Sequence, residues 1–359
     1  MRIAIVRTSE VPTGCGTGLT ATALAAAGHR VRVYTDLPDD PELLPPRGGP
    51  GTLHVRPFDG DLAAAWSDDP SEVVHAIGPA AGRAAAVTGL PVVQTYPVHG
   101  PGPVAVAGPP LVAARVLASS EDQHADLLRS GVPRSRLRTV PACVDTDAFT
   151  PDGPTLQRGE HPRIVTLGSL AAGAGAGAAI RALVRVRGAE LFVAGGVAGD
   201  DPDRALLFET ARQAGVAGRV RFLGPVDGAL RPRLLRSADV VVAAPGHDVP
   251  VIPVLQAMAC SRPVVAAAVG GLRDAVVDGV TGVHVRPGRP DDLASALREV
   301  LTDDALRIGY GIAGRDRAVS RFDRVRIAEA LSGVYAELVA APPPEPDEPE
   351  EQETVGAIG

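Results

Sequence analysis

Asp248 and Gln256 stand with seven residues between them in the stretch APGHDVPVIPVLQAMAC, residues 244–260. A carboxylate can orient a hydroxylated ligand, and an amide can hold a hydroxyl without charge. The stretch lies between two apolar runs, ADVVVAA and PVVAAA, and reads as strand, loop, a helix near Val251–Ala259, then strand. Val251 and Ile252 fall at the start of that helix, where unpaired backbone N–H groups favour a diphosphate. The plain alternative is an Asp that caps the helix and a Gln on its solvated face.

Two glycine-rich connections offer a similar choice. Gly14 and Gly16, in the run GCGTG, follow the first strand and open a helix, where glycine lets backbone N–H groups approach a phosphate or a hydroxyl. The spacing is G-x-G-x-G and the loop from the strand is long, so the run is no dinucleotide fingerprint. Gly168, Ser169 and Gly173 belong to LGSLAAGAGAG, which follows the first strand of the second half and carries no cation. A structural glycine turn is the alternative at both places. His75 in EVVHAI and His99 in YPVHG lie near strand ends and could orient a hydroxyl or move a proton, or serve packing alone. Three Asp-x-Asp pairs (Asp59/Asp61, Asp145/Asp147, Asp201/Asp203) could each hold a divalent metal. Turn-forming preference accounts for them equally well, and no metal site is assigned.

These residues need elements to hold them. Strand-like runs (RIAIVR, RVRVYT, TLHVRPF, EVVHAI, LPVVQTY and RVLASS) alternate with helical patterns through the first half. RIVTLG, AELFVAGG, RVRFLG, ADVVVAA, RPVVAAA and TGVHVRP do so in the second. Such alternation predicts parallel, doubly wound sheets, and the restart near residue 163 predicts two Rossmann-like domains. The join, rich in Pro, Gly, Asp and Thr, reads as a hinge.

Composition narrows the function class. The 359 residues suffice for two domains with cores of their own. No apolar run approaches the roughly 20 residues of a membrane helix, and the opening MRIAIV reads as a strand rather than a signal peptide. Three scattered cysteines fit a reducing cytoplasm and neither a disulfide framework nor a zinc site. The chain contains no lysine, which excludes lysine-dependent chemistry. Residues 1–150 carry 12 Arg against 15 acids, and residues 151–340 carry 23 Arg against 21 acids. A weakly positive second half suits a small anionic ligand better than nucleic acid, which needs clustered basic residues. Residues 341–359, PPPEPDEPEEQETVGAIG after Ala341, cannot bury apolar surface and read as a disordered acidic tail.

The strings PACVDTDAFTP, RVRFLGPV, LLRSADVVVAAP, RVLASSEDQHADLLRSGVP and VLQAMACSRPVVAAAVGGLRDAVVDGVTGVHVRPG together resemble the retaining glycosyltransferases of family 4. The resemblance runs from Met1 to about Leu338. It implies the GT-B fold: α/β, with two Rossmann-like doubly wound parallel-sheet domains facing across a cleft. The expected boundaries are an acceptor-side domain over 1–145, a hinge over 146–162 and a nucleotide-sugar-side domain over 163–322. A C-terminal helix over 323–340 is expected to pack back on the first domain.

The resemblance also implies metal-independent transfer from a nucleotide-diphosphate sugar, which is a substrate, so no cofactor is expected. The family stabilises the departing diphosphate with an Arg and a Lys; here those positions are Ser169 and Ala174. Its two glutamates become Asp248, for the donor sugar, and Gln256, for the ribose. Its first-domain histidine falls at Pro97, with His99 two residues on. The expected catalytic residues are Asp248 and His99. The expected donor-binding residues are Gly168, Ser169, Gly173, Val251, Ile252 and Gln256, with Gly14 and Gly16 lining the cleft opposite. The expected function is a glycosyltransferase with an unidentified acceptor, in the cytoplasm or peripheral at the inner membrane face. The alternative is a catalytically silent GT-B protein acting as companion subunit to an active transferase or as a nucleotide-sugar binder.

Overall fold

A computed structural model describes residues 1–11, 16–37, 50–57, 62, 70–98, 113–197, 199 and 201–340. Two parallel sheets organise it. The first has the order β3-β2-β1-β4-β5-β6-β7, built from β1 (Arg2–Arg7), β2 (Arg30–Thr35), β3 (Thr52–Pro57), β4 (Val73–Ile77), β5 (Val92–Thr95), β6 (Arg115–Ala118) and β7 (Leu137–Thr139). The second has the order β10-β9-β8-β11-β12-β13, built from β8 (Arg163–Gly168), β9 (Glu190–Gly195), β10 (Val220–Gly224), β11 (Val240–Ala243), β12 (Val264–Ala267) and β13 (Gly282–Val285). Every strand pair is parallel, as in Ile5↔Val33 and Ile5↔His75 around β1. Helices cover both faces, so the central strands are buried nearly end to end and read as unbroken apolar runs. The α/β doubly wound class expected from the alternation is the observed one, twice over.

Helices α1 (Thr17–Ala26), α2 (Pro79–Ala86) and α3 (Glu121–Arg129) connect strands of the first sheet. Around the second sheet lie α4 (Ala176–Leu183), α5 (Pro202–Gln213), α6 (Leu230–Arg236), α7 (Ile252–Ala259), α8 (Gly270–Ala275), α9 (Pro290–Thr302) and α10 (Asp304–Arg321). The strand β7 went unrecognised in the sequence because LRT is three residues long and only Leu137 is buried.

The last helix, α11 (Arg324–Ala340), returns to the first sheet. Its Ile327, Ala328, Leu331, Val334, Tyr335 and Leu338 share one core with Ile3, Ile5, Leu24 and Val33. His29 Nε2 and Ser332 Oγ, 2.8 Å apart, tie it to the turn after α1. The chain passes between the halves at 140–162 and again at 322–324. These two crossings pair with each other: Val144 N–H donates to the Phe322 carbonyl (2.8 Å), and Arg324 N–H donates to the Val144 carbonyl (3.0 Å).

Candidate functional site

In a doubly wound sheet the ligand site lies beyond the carboxyl ends of the strands, where the strand order reverses. That point falls between β1 and β4 in the first sheet and between β8 and β11 in the second. The connections leaving β1 and β11, with residues of β4, meet around one cavity of about 140 Å³. Thr17 and Thr20 of α1, His75, and the turn from Thr95 to Val98 line it on one side. Asp248 through Ile252, with Gly271, line it on the other.

Asp248 is held from the second half. Gly271 N–H donates to its Oδ1 (3.2 Å), and its carboxylate lies against Gly270 where any side chain would overlap it. Burial raises its pKa above the usual carboxylate value, and the charges of Asp122 and Asp274 add to the effect. Asp248 does not cap α7. That cap position is Val251, without a side-chain partner, and Pro253 contributes no N–H. The start of α7 therefore has no side-chain cap, and Val251 and Ile252 line the cavity there.

Gln256 is 7% exposed and its Oε1 has no hydrogen-bond partner among the described residues, so the solvated-face alternative fails. A buried amide oxygen without a donor is uncommon in folded proteins, and a ligand hydroxyl would satisfy it. Gln256 does not line the small cavity.

The glycine loop after β8 is exposed and also lies outside that cavity. Gly168 ends the strand, and Ser169 Oγ accepts from Ala171 N–H (3.2 Å), so its hydroxyl folds the loop on itself. Gly173 is joined to the Asp248 segment, because Gly246 N–H donates to the Gly173 carbonyl (2.8 Å). On the opposite wall, Gly16 has φ +81 and a Cβ there would come within 2.8 Å of Ile252 Cδ1. Gly16 thus lets the start of α1 lie against Ile252 at the start of α7. Gly14 and His99 lie outside the described residues, as does the Asp59/Asp61 pair.

Other residues of the site have partners that the sequence does not show. His75 is 5% exposed, with Nδ1 2.7 Å from the Tyr335 hydroxyl and Nε2 2.6 Å from Thr95 Oγ1. Burial holds its pKa down to about 4, so the ring is neutral, and both nitrogens are occupied. A second group clamps the cleft edge. Gly270 N–H donates to Asp122 Oδ2 (2.8 Å) and Arg273 Nη1 to Asp122 Oδ1 (2.9 Å). In return Glu121 N–H donates to Asp274 Oδ2 (2.8 Å). Each half thus supplies a carboxylate to a helix start of the other, which no reading of one half alone could find. The Gly270–Gly271 pair was the available hint.

Of the remaining Asp-x-Asp pairs, Asp201 caps α5, accepting from Asp203 N–H (2.9 Å) and Arg204 N–H (3.2 Å). Asp145 Oδ1 accepts from Asp147 N–H (3.1 Å) and Ala148 N–H (3.0 Å). Both are turn chemistry. Cys143 and Cys260 are buried, which pushes their thiols up to about 12 and about 11 and leaves neither as a thiolate.

Comparison with known proteins agrees with this architecture. A family model for glycosyl transferases group 1 matches residues 161–303, and one for glycosyltransferase family 4 matches residues 18–148. A D-inositol 3-phosphate glycosyltransferase of Xylanimonas cellulosilytica is 34% identical over 243 residues, covering 64% of this chain and 58% of that protein. A glycogen synthase of Mycobacterium tuberculosis is 36% identical over 158 residues, covering 44% and 38%. The chain thus spans less than two thirds of the length of these relatives. Among solved structures, sucrose-phosphate synthase from Thermosynechococcus elongatus superposes with a TM-score of 0.78 at 21% identity, covering 95% of this chain and 99% of that one. The Anabaena protein HepE, solved in complex with UDP and glucose, gives a TM-score of 0.77 at 19% identity, covering 94% and 100%. At such identities the likeness is one of fold. With one family model on each half and the fold matched over nearly the whole chain, the chain belongs to the family 4 glycosyltransferases of the GT-B fold.

Proposed function

We propose that the protein transfers a sugar from a nucleotide-diphosphate sugar to an acceptor hydroxyl, with retention of configuration and without a metal. The observation that supports this most is the convergence of Asp248 with the uncapped start of α7 at facing switch points. In this reading the N–H groups of Val251 and Ile252, aided by the dipole of α7, meet the diphosphate as negative charge builds on it. Asp248 accepts from a donor-sugar hydroxyl. Gln256 gives its unsatisfied Oε1 to a ribose hydroxyl, which would cancel the cost of burying it. The cavity as it stands is smaller than the roughly 300 Å³ at which small-molecule pockets begin, so donor entry requires the halves to part.

The first-domain wall bears on the acceptor. Ile77, Tyr96, Leu117, Val140, Ile327 and Leu331 line it, and among the described residues Asp248 is the one charged residue in the cavity lining. A phosphorylated acceptor such as the inositol phosphate named for the relatives would find no cation among the described lining residues. We therefore read the acceptor as an uncharged hydroxyl compound with an apolar face.

A thermal-shift screen with UDP-, GDP- and ADP-sugars and the bare nucleoside diphosphates tests the donor assignment. Ligand at a hundred times its Kd should add about 2.7 kcal/mol to native stability. Asp248→Ala should weaken the nucleotide sugar more than the bare diphosphate, and Gln256→Ala should weaken both alike. A protein stabilised by none of these compounds, or an Asp248→Ala variant that binds them all unchanged, would overturn the reading. Binding without sugar transfer to any hydroxyl acceptor would instead favour the silent nucleotide-sugar binder.

A further inference from the structure

The loop expected to meet the diphosphate, Ser169–Gly175, contains no titratable side chain, and the chain has no lysine to place there. A positive charge can still reach it from the neighbouring connection. His247 lies between the two. Its ring edge sits where a Cβ on Gly173 would be 3.3 Å from both Cδ2 and Nε2, and Gly246 beside it is hydrogen-bonded to the Gly173 carbonyl. The other ring nitrogen is fixed: Nδ1 is 2.9 Å from the carbonyl oxygen of Asp248. A carbonyl only accepts, so Nδ1 carries the hydrogen. In the neutral ring Nε2 then holds a lone pair, and protonation makes it a charged donor at the edge of the glycine loop.

We propose that His247 is the phosphate-binding cation of this site, taking up a proton as the nucleoside diphosphate binds and donating from Nε2 to a phosphate oxygen. The assignment rests on the donor-site reading above and deepens it. Among the described residues the ring has no ion-pair partner. The nearest carboxylate in sequence, Asp248, is turned to Gly271. The half-exposed ring can therefore meet an anion at Nε2 without first breaking a contact. Geometry also explains Gly173. Any side chain there would crowd the imidazole edge from which the phosphate must be reached. The cation would thus have moved from the loop to the residue beside the sugar-binding carboxylate, on the backbone that already holds that loop.

Calorimetric titration with UDP, GDP and ADP, repeated in two buffers of different ionisation enthalpy near neutral pH, reads both affinity and proton uptake. The wild-type protein should take up more protons on binding than His247→Gln does. His247→Gln should lose affinity roughly tenfold, as expected when one charge-assisted hydrogen bond is removed. His247→Arg should keep the affinity and lose the extra uptake. That variant carries the test if the Gln variant melts at a lower temperature. Unchanged affinity and uptake in His247→Gln, or a folded His247→Arg protein that no longer binds, would overturn the assignment and leave the donor site standing. If the wild-type protein binds none of the three diphosphates, the donor-site reading falls, and this one with it.

Discussion

The two walls of the cleft begin from equivalent elements, a glycine-bearing connection from a strand to a helix at the centre of each sheet, and are put to different use. After β1 the connection closes on side chains. Gly16 makes room for Ile252, Thr17 and Thr20 face the cavity, and His75 behind them is locked by Tyr335 and Thr95. After β8 the connection closes on backbone. A Cβ on Gly175, at φ +118, would come within 3.1 Å of the Ala244 carbonyl carbon, while Ser169 and Ala171 to Gly173 stay open to solvent. One wall is a packed interface and the other a largely exposed rim. Glycine count alone does not separate them; what each glycine touches does.

Breaking each wall at its glycine gives the first test. Gly175→Ala meets fixed backbone at a conformation L-residues avoid, and should cost about 2–4 kcal/mol of stability by chemical denaturation. A loss under about 1 kcal/mol would mean that the β8 connection is pliant. The pH dependence separates the walls next. The folded pKa of His75, about 4, lies below its ordinary value of 6.5, so its contribution is complete above 6.5 and is lost as pH falls towards 4. Melting curves should fall through that window by up to roughly 3 kcal/mol, and His75→Gln should flatten the slope. An identical slope in the variant would assign the loss to other groups.

Gly16→Ala should be milder, about 1–2 kcal/mol, because strain remains while the far end of Ile252 can give way. Ile252→Val removes the Cδ1 that the new Cβ would meet. The pair should therefore cost less than the sum of the single changes, and strict additivity would refute the contact. The smallest effect belongs to the other wall. Asp248 has a raised pKa, so its contribution is present in acid and lost as pH rises through its folded value. Asp248→Asn should raise the melting temperature slightly at neutral pH and not in acid. A fall at neutral pH would show that the charge supports the fold.

The architecture was legible because parallel strands buried on both faces leave unbroken apolar runs, and VVHAI or RIVTLG cannot be confused with amphipathic helices. Asp248, Val251 and Ile252 were legible as a group because one short loop and one helix start carry all three. Contacts across the cleft were not. Nothing in EDQH marks Asp122 as the partner of Gly270, 148 positions away, and nothing in EVVHAI shows that Tyr335 closes over His75. Local periodicity records which face of an element is buried, not against what. The solvated-face alternative for Gln256 failed for that reason. A polar residue inside IPVLQAMA fits a helix's wet side by local pattern, but α7 is buried almost all round.

The return of α11 to the first sheet has a consequence for how the molecule is made. A ribosome delivers β1 to β7 first, yet the core around Ile3, Ile5 and Leu24 waits for Ile327, Leu331 and Tyr335. The second sheet, contiguous from Arg163 to Val285, can fold as soon as it emerges, while the earlier half stays unsealed and exposed to misassembly. The half synthesised first is the half finished last. A stall or cleavage anywhere between α10 and Leu338 should leave a chain with a sound second domain and an open first one.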